Sequence, residues 1–473
     1  MERRTFLKIL SSAGIVSLVS PTFAMGVCKN KVSKSSSALL ESAFLNPPFS
    51  SGVYTWWHWM NGNITKDGIT RDLEAMKANG IAGYQLFEAG SGIPIGPVES
   101  LSDEWVDLIL HTLKESERLG LEFAMHNCPG WSSSGGPWIT PDKAMQIITW
   151  SETKVTGGKQ VRIQLPTPKH MFDYYIDTYC LAIPANMKVI PRLSILELSN
   201  RLDKGGVLTW DVPAGEWLIM RFGQTAKDQK NKSAPSKSTG LDCDKFSTEA
   251  LDYHLNCMFK RLMPAMEKIA KHSKIGLLID SYETGDQDWT SDMPAYFEQN
   301  HGYALYPFLP VLANKIIESE ESTKRFKYDF RRTRADMFAE RYYGHFQKRC
   351  KEKGIITYTE PYGGNMMEEL QVAQQLDINM GEFWCGQTVL WANYKYNRTV
   401  KQVASISHTL GGKIVGAEAF TSEPDADKWL LYPYALKSLG DYMFTRGLNR
   451  IYFHRFAHQP HPTAAPGMTM GAW

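Results

Sequence analysis

The sequence predicts an α/β chain, a (β/α)8 barrel carrying an inserted β-rich segment. Strand-like and helix-like periods alternate from residue 53 to residue 126, β-type alternation takes over across residues 150–240, and the first rhythm then resumes to residue 454. The strands so counted number eight, which is what closes such a barrel. With 473 residues, 43% of them hydrophobic and 22% charged, the chain can bury a large core and is not disordered.

Val53 to Trp59 is the first strand, a compact apolar and aromatic run. Asn63-Ile64-Thr65 then offers an N-cap region, and Ile69, Leu73 and Met76 recur at helical spacing before Gly80 stops the helix. Ile81 to Phe87 is the second strand, Asp103 to Leu119 a helix closed by Gly120, and Leu121 to His126 the third strand. Short strand–helix–strand register implies parallel strands with right-handed crossovers. Runs such as KQVRIQL and GVLTWDV mark the insertion, which ends in the polar loop KDQKNKSAPSKSTG near residue 240.

A helix from Thr248 to His272 and a strand from Ile275 to Asp280 restart the pattern. Strands follow at Ile355 to Glu360, Ile378 to Glu382, Lys413 to Glu418 and Arg450 to His454, between helical segments at 326–353, 366–375, 392–410 and 431–446. The barrel is thus expected in two parts, 51–150 and 241–473, around the insertion 151–240. An open doubly wound sheet is the other topology for such alternation, but no glycine fingerprint of a dinucleotide or phosphate site follows any strand.

The N-terminus reads as an address. Glu2 to Lys8 spell ERRTFLK, an apolar stretch runs from Ile9 to Ala24, and together they predict a twin-arginine export signal over residues 1–24. The expected location is therefore outside the cytoplasm, in the periplasm, with no transmembrane segment in the mature chain. Cys28 is the position a lipid anchor would use, although Val27 is larger than the residue expected before it. Residues 25–50, rich in Ser and Pro, read as a tether. The remaining cysteines are scattered without metal or redox spacing, which points to reduced, buried thiols. A formal charge of +2 and the lack of a basic run beyond the first 35 residues exclude nucleic acid as the main partner.

The active site of a barrel forms at the C-terminal ends of its strands, so the residues found there carry the functional reading. In order they are His58 and Asn61; Glu88; His126 and Asn127; Asp280 and Glu283; Glu360; Glu382; Glu418, with Glu423 nearby; and His454 and His458. A lone Glu after a strand ordinarily serves the next helix N-terminus. Carboxylates at five of eight strand ends instead repel one another unless metal, substrate or altered protonation compensates. Two carboxyls flanking a scissile bond, one neutral and one ionised, are what glycoside hydrolysis needs. Further carboxylates and amides suit sugar hydroxyls or a hard cation such as calcium. Trp56, Trp57 and Trp59 alternate faces of the first strand, so some fill the barrel and others can offer faces to a sugar. The sequence lacks a His-Glu-x-x-His motif, and GWSSSGG at 130–136 lacks the spacing of a nucleophile elbow and reads as a flexible loop over the mouth.

These strings together resemble glycoside hydrolase family 106, the α-L-rhamnosidases. The resemblance rests on YTWWHWMNGN, HNCPGWSSSGGPW, TGLDCDKFS, IDSYETGDQDWT, MGEFW, GAEAFTS and RIYFHRFAHQPHP, and runs from about residue 50 to the C-terminus. It implies a (β/α)8 catalytic barrel, an inverting two-glutamate mechanism, and a calcium ion contacting the sugar. Carried onto this chain, it implies Glu283 as general acid and Glu418 as base, with Glu382 as the alternative base or a metal ligand. Tyr282 and Trp384 join His58, Asn61, Glu88, His126, Asn127, Asp280, Glu360 and His454 as the expected substrate-binding set. The expected partner is an oligo- or polysaccharide bearing terminal α-L-rhamnose. A noncatalytic sugar-binding barrel, or a hydrolase of another deoxy or uronic sugar, are the competing readings. Relatives in this family are usually longer, so the barrel is expected to be incomplete where the chain stops at Trp473, inside GMTMG.

Overall fold

Eight parallel strands close into one barrel, each hydrogen-bonded to its sequence neighbours and the last to the first. They are β1 (Val53–Met60), β2 (Ile81–Ala89), β3 (Glu122–His126), β4 (Ile275–Ile279), β5 (Ile356–Thr359), β6 (Ile378–Cys385), β7 (Val415–Ser422) and β8 (Arg450–Ala457). The closing register aligns Tyr54 with Tyr452 and His58 with Ala457. This computed structural model describes residues 34–90, 92–385, 389–422, 428, 430–465 and 467–469. The expected export signal, Cys28 and Glu423 lie outside the described residues. The chain divides into two compact units, one up to Gly52 and one from Val53.

In the first unit, Lys34–Leu45 is a helix followed by a short turn at Phe49–Ser51. A regular element thus stands where the Ser-rich composition reads as tether.

In the second unit the helices begin and end where local chemistry dictates. Thr65 caps the helix Lys66–Ala78 by accepting from the Gly68 amide at 3.2 Å. Ser102 likewise caps Asp103–Leu119 through the Trp105 amide at 3.1 Å, and Gly120 ends that helix in the left-handed region at φ 67°. The single helix expected over 248–272 is two, Thr248–Phe259 and Met263–Ala270, with Pro264 in the first turn of the second. The long segment Glu320–Lys351 contains a π-helical stretch at Phe338–Gly344, which buries Tyr342 and Tyr343. The Met293–His301 helix escapes the periodic pattern.

Between β3 and β4, the strands Gln146–Thr156, Glu216–Ala226, Ile176–Pro184 and Leu196–Glu197 form an antiparallel sheet in that spatial order. Lys159–Gln164 and Val207–Val212 pair separately. A core of Leu165, Cys180, Ala182, Leu208, Trp210 and Ile219 lies within this β-rich part. Among the described residues, Cys128, Cys180, Cys243, Cys257, Cys350 and Cys385 form no disulfide. No helix among the described residues is long and apolar enough to cross a membrane.

Candidate active site

A cavity of about 380 Å³ opens at the mouth where the strands end. Its wall includes eight residues singled out from the sequence: Trp56, His58, Asp280, Glu283, Glu382, Trp384, Glu418 and His454. Alternation along β1 explains the division of its aromatic run. Trp57 and Trp59 are fully buried, and the Trp57 indole donates to Asp72 at 2.9 Å on the neighbouring helix, whereas Trp56 and His58 line the cavity.

Glu382 and Glu418 are register partners on β6 and β7, so their side chains leave the same face of adjacent strands. Glu382 accepts from the Trp384 indole and Glu418 from the Thr421 hydroxyl. Glu283 lies in the turn after β4, three strands round the barrel from Glu418. Its Oε2 accepts from Lys232 Nζ at 2.5 Å and its Oε1 from Ser281 Oγ at 3.5 Å.

Burial sets the electrostatics. Desolvation first, then the nearby Glu382 and Asp280, hold the Glu418 carboxyl well above the usual range. Asp280 is raised by burial and then by Glu283, and Glu360 by burial and then by Asp280 and Glu418. The inner carboxyls therefore favour their neutral forms. Burial also pushes His58 and His454 well below the ordinary imidazole value, helped by the Arg455 guanidinium, so both stand neutral at the cavity. Arg455 is itself drawn down to about 10 by burial, against the opposing pull of Glu418. His58 Nδ1 and Trp56 Nε1 are buried without a protein partner beside the cavity.

Seven predicted residues do not reach the cavity wall. Asn61, at φ 48°, donates to the Ile93 carbonyl at 2.5 Å and braces the β1 turn. Glu88 is buried against Ser100. His126 contacts the Cys128 carbonyl at 2.9 Å, and the Asp280 amide donates to its ring at 3.4 Å. Asn127 donates to the carbonyls of Ser133 and Leu278 at 2.8 and 3.0 Å. The Tyr282 hydroxyl is committed to the Gly285 carbonyl at 2.8 Å. Glu360 accepts from Tyr362 and stands behind the wall, next to Asp280. His458 joins β8 to the first barrel helix through Asp72 at 2.7 Å. These side chains satisfy buried polar groups of the fold, a demand as strong as any ligand's.

The wall also contains residues the sequence reading missed: Trp131, Lys232, Ser233, Ser281, Thr421 and Arg455. Arg455 and Ser281 adjoin strand-end residues already named, so the same rule extended by one position finds them. Lys232 has no such signal. It belongs to the polar loop at the end of the insertion, which folds back on the mouth: Trp131 N donates to Lys232 O at 3.2 Å and Gly90 N to Ser233 O at 2.8 Å. The 130–136 loop is likewise pinned rather than free. Ser132, Ser133 and Ser134 are all buried, Ser133 bonds Tyr342 from the π-helical stretch at 2.9 Å, and Ser134 bonds Asp242, which pairs with the buried Lys245.

The fit of calcium can be tested on the donors. Asp280 Oδ1 and Glu360 Oε1 are buried oxygens without a partner, the hard donors calcium takes. Among the described residues, however, no three His, Cys, Asp or Glu side chains converge to hold an ion. The donor chemistry fits, while a cage made of protein side chains alone is not formed.

Comparison with known proteins places the chain among glycoside hydrolases, with relatives named for two different sugars. The sequence profile of glycoside hydrolase family 106, described as alpha-L-rhamnosidase, matches residues 45–175 and 168–473. A Formosa agariphila protein named provisionally as a beta-glucuronidase is 40% identical over 462 residues, which cover 91% of this chain and 39% of that one. A rhamnosidase structure from Novosphingobium sp. PP1Y superposes with a TM-score of 0.84 at 24% identity, over 92% of this chain and 57% of that one. The chain thus spans well under two thirds of either relative.

Proposed function

This chain belongs to glycoside hydrolase family 106, and on that premise we propose that it removes terminal α-L-rhamnosyl residues from a glycan with inversion. The observation that carries the reading is the placement of Glu283 and Glu418 in one cavity, three strands apart, with Trp56, Trp131 and Trp384 in its wall. Inversion needs carboxyls roughly 6.5–9.5 Å apart so that water fits on the far side of the sugar. Neighbouring strands lie only about 4.8 Å apart, so the register partners Glu382 and Glu418 suit that pairing less well than Glu283 and Glu418. In this reading Glu283 protonates the leaving oxygen and Glu418 activates water. Glu382, held by Trp384, orients Glu418 or replaces it as base.

For Glu418 to act as base it must lose the proton that burial favours, which calls for positive charge beside it. Arg455 supplies one such charge. Calcium belongs to the proposal on the chemistry of Asp280 and Glu360, and when bound it would add cationic charge among these carboxylates; no step is drawn through it. Indole faces suit the 6-deoxy methyl of rhamnose. Export to the periplasm remains part of the proposal on the strength of the N-terminal sequence.

The relative named for glucuronide cleavage supports a second reading, because Lys232 and Arg455 in the wall could meet a uronate carboxylate. One experiment separates them: parallel turnover of an aryl α-L-rhamnoside and an aryl β-D-glucuronide, with the product anomer followed by NMR. Release of β-L-rhamnose as first product supports the proposal. Turnover of the glucuronide alone overturns it.

A further inference from the structure

We propose that Lys232 recognises an anionic group, a carboxylate or a sulfate ester, on the sugar at the leaving-group side of the scissile bond. The inference rests on the proposed acid role of Glu283 and extends it to what lies beyond the bond.

The geometry places an ammonium where a glycosidase acid would not by itself want one. Both oxygens of Glu283 accept hydrogen bonds, Oε2 from Lys232 at 2.5 Å and Oε1 from Ser281 at 3.5 Å. A general acid must instead carry a proton on one of these oxygens and donate it to the leaving oxygen. The Lys232 contact therefore has to open in the working complex. Opening costs little, because the two side chains are 54% and 38% exposed, and solvent screens an exposed pair of this kind.

The lysine is nevertheless mounted on a built platform. The Lys232 carbonyl accepts from Trp131, the Ser233 carbonyl from Gly90, and the buried Asn231 side chain donates to the Pro129 and Ser238 carbonyls, each at 3.1 Å. Gly130 admits this approach: a Cβ there would come within 2.1 Å of the Lys232 carbonyl. A fixed backbone with a long, swinging cation is suited to exchanging one anion for another. Lys230 and Lys237 in the same loop pair with Asp228 and Glu99, and neither lines the cavity.

Position identifies the sugar. His58 is buried and His454 half-buried at the strand ends, both are neutral, and on the proposed reading they receive the sugar to be cleaved. Glu283 stands at the bond, and Lys232 and Ser233 lie beyond it at the more open rim. An anion there takes the ammonium from Glu283 and leaves the carboxyl to act.

The test compares wild type, Lys232→Met and Lys232→Arg on α-L-rhamnosyl-glucuronate, its carboxyl-reduced rhamnosyl-glucose counterpart and the latter bearing a sulfate ester. Wild type should favour at least one acidic substrate over the neutral one at least tenfold in kcat/KM, with the margin shrinking in salt. Lys232→Met should bring the ratio close to one, and Lys232→Arg should keep most of it. The two acidic substrates separate carboxylate from sulfate recognition. An unchanged ratio in Lys232→Met, or no acidic preference in wild type, overturns the inference. Turnover of a neutral aryl rhamnoside reports on the rhamnosidase reading separately. If none of the disaccharides is cleaved, the same ratios measured as Kd by calorimetry decide the matter.

Discussion

Glu382 and Glu418 stand opposite each other on adjacent parallel strands, and each is held by a donor from its own strand, Trp384 and Thr421. Two acidic side chains on the same face of neighbouring strands repel, and burial together with the Glu382 charge holds the Glu418 carboxyl well above its usual range. That arrangement gives the site an inner pair, and Glu283 completes it from the rim.

Replacing Glu418 or Glu283 by Gln should each lower kcat on an aryl rhamnoside by about 10²–10⁴-fold, the usual contribution of general acid–base catalysis. Circular dichroism should show both variants folded. Near wild-type turnover in both would place the chemistry elsewhere.

Glu88 predicts a pH-dependent stability. Burial raises its carboxyl from 4.5 to about 7, so the folded state binds the proton more tightly than the unfolded chain. Stability from this group is fully present below pH 4.5 and is lost as pH rises to about 7, a loss of about 3 kcal/mol at roughly 1.4 kcal/mol per unit. Glu88→Gln should therefore raise Tm at pH 8 relative to wild type and leave it nearly unchanged at pH 4. A Tm gain that is equal at both values would contradict the assignment.

Gly130 sits at φ 81° beneath the Lys232 carbonyl. Gly130→Ala should lift the 227–240 loop from the mouth, destabilise the protein by more than about 1 kcal/mol and lower activity. Limited proteolysis reads this directly, through new cleavage among residues 227–240 while the barrel core stays resistant.

Trp131 and Trp384 should act on binding more than on chemistry. Trp131→Ala is expected to raise KM about tenfold with a smaller change in kcat, the pattern of lost uniform binding. An effect confined to kcat would move Trp131 from the binding wall to the reacting centre.

Calcium can be tested by removal. Dialysis against a chelator under conditions shown by elemental analysis to strip metal should lower activity at least tenfold, and added calcium should restore it. Full activity in the stripped protein would remove calcium from the proposal.

The strand order and the strand-end carboxylates were legible in the sequence because they are local. Hydrophobic period, caps such as Ser102 and stops such as Gly120 act over a few residues, and barrel geometry carries the strand ends to one mouth. What local pattern does not contain is which polar side chains the fold itself consumes. Asn61, Asn127 and Tyr282 carry the same chemistry as ligand-binding residues, yet each is spent on a backbone carbonyl that only tertiary packing brings near. Lys232 shows the converse, since 51 positions separate it from Glu283 and its own segment reads as linker. The sequence by itself determined the barrel and the acidic mouth, through periodicity and strand ends. Only the tertiary structure decided which acids share a cavity and which cation faces them, because burial and contact are properties of the closed chain.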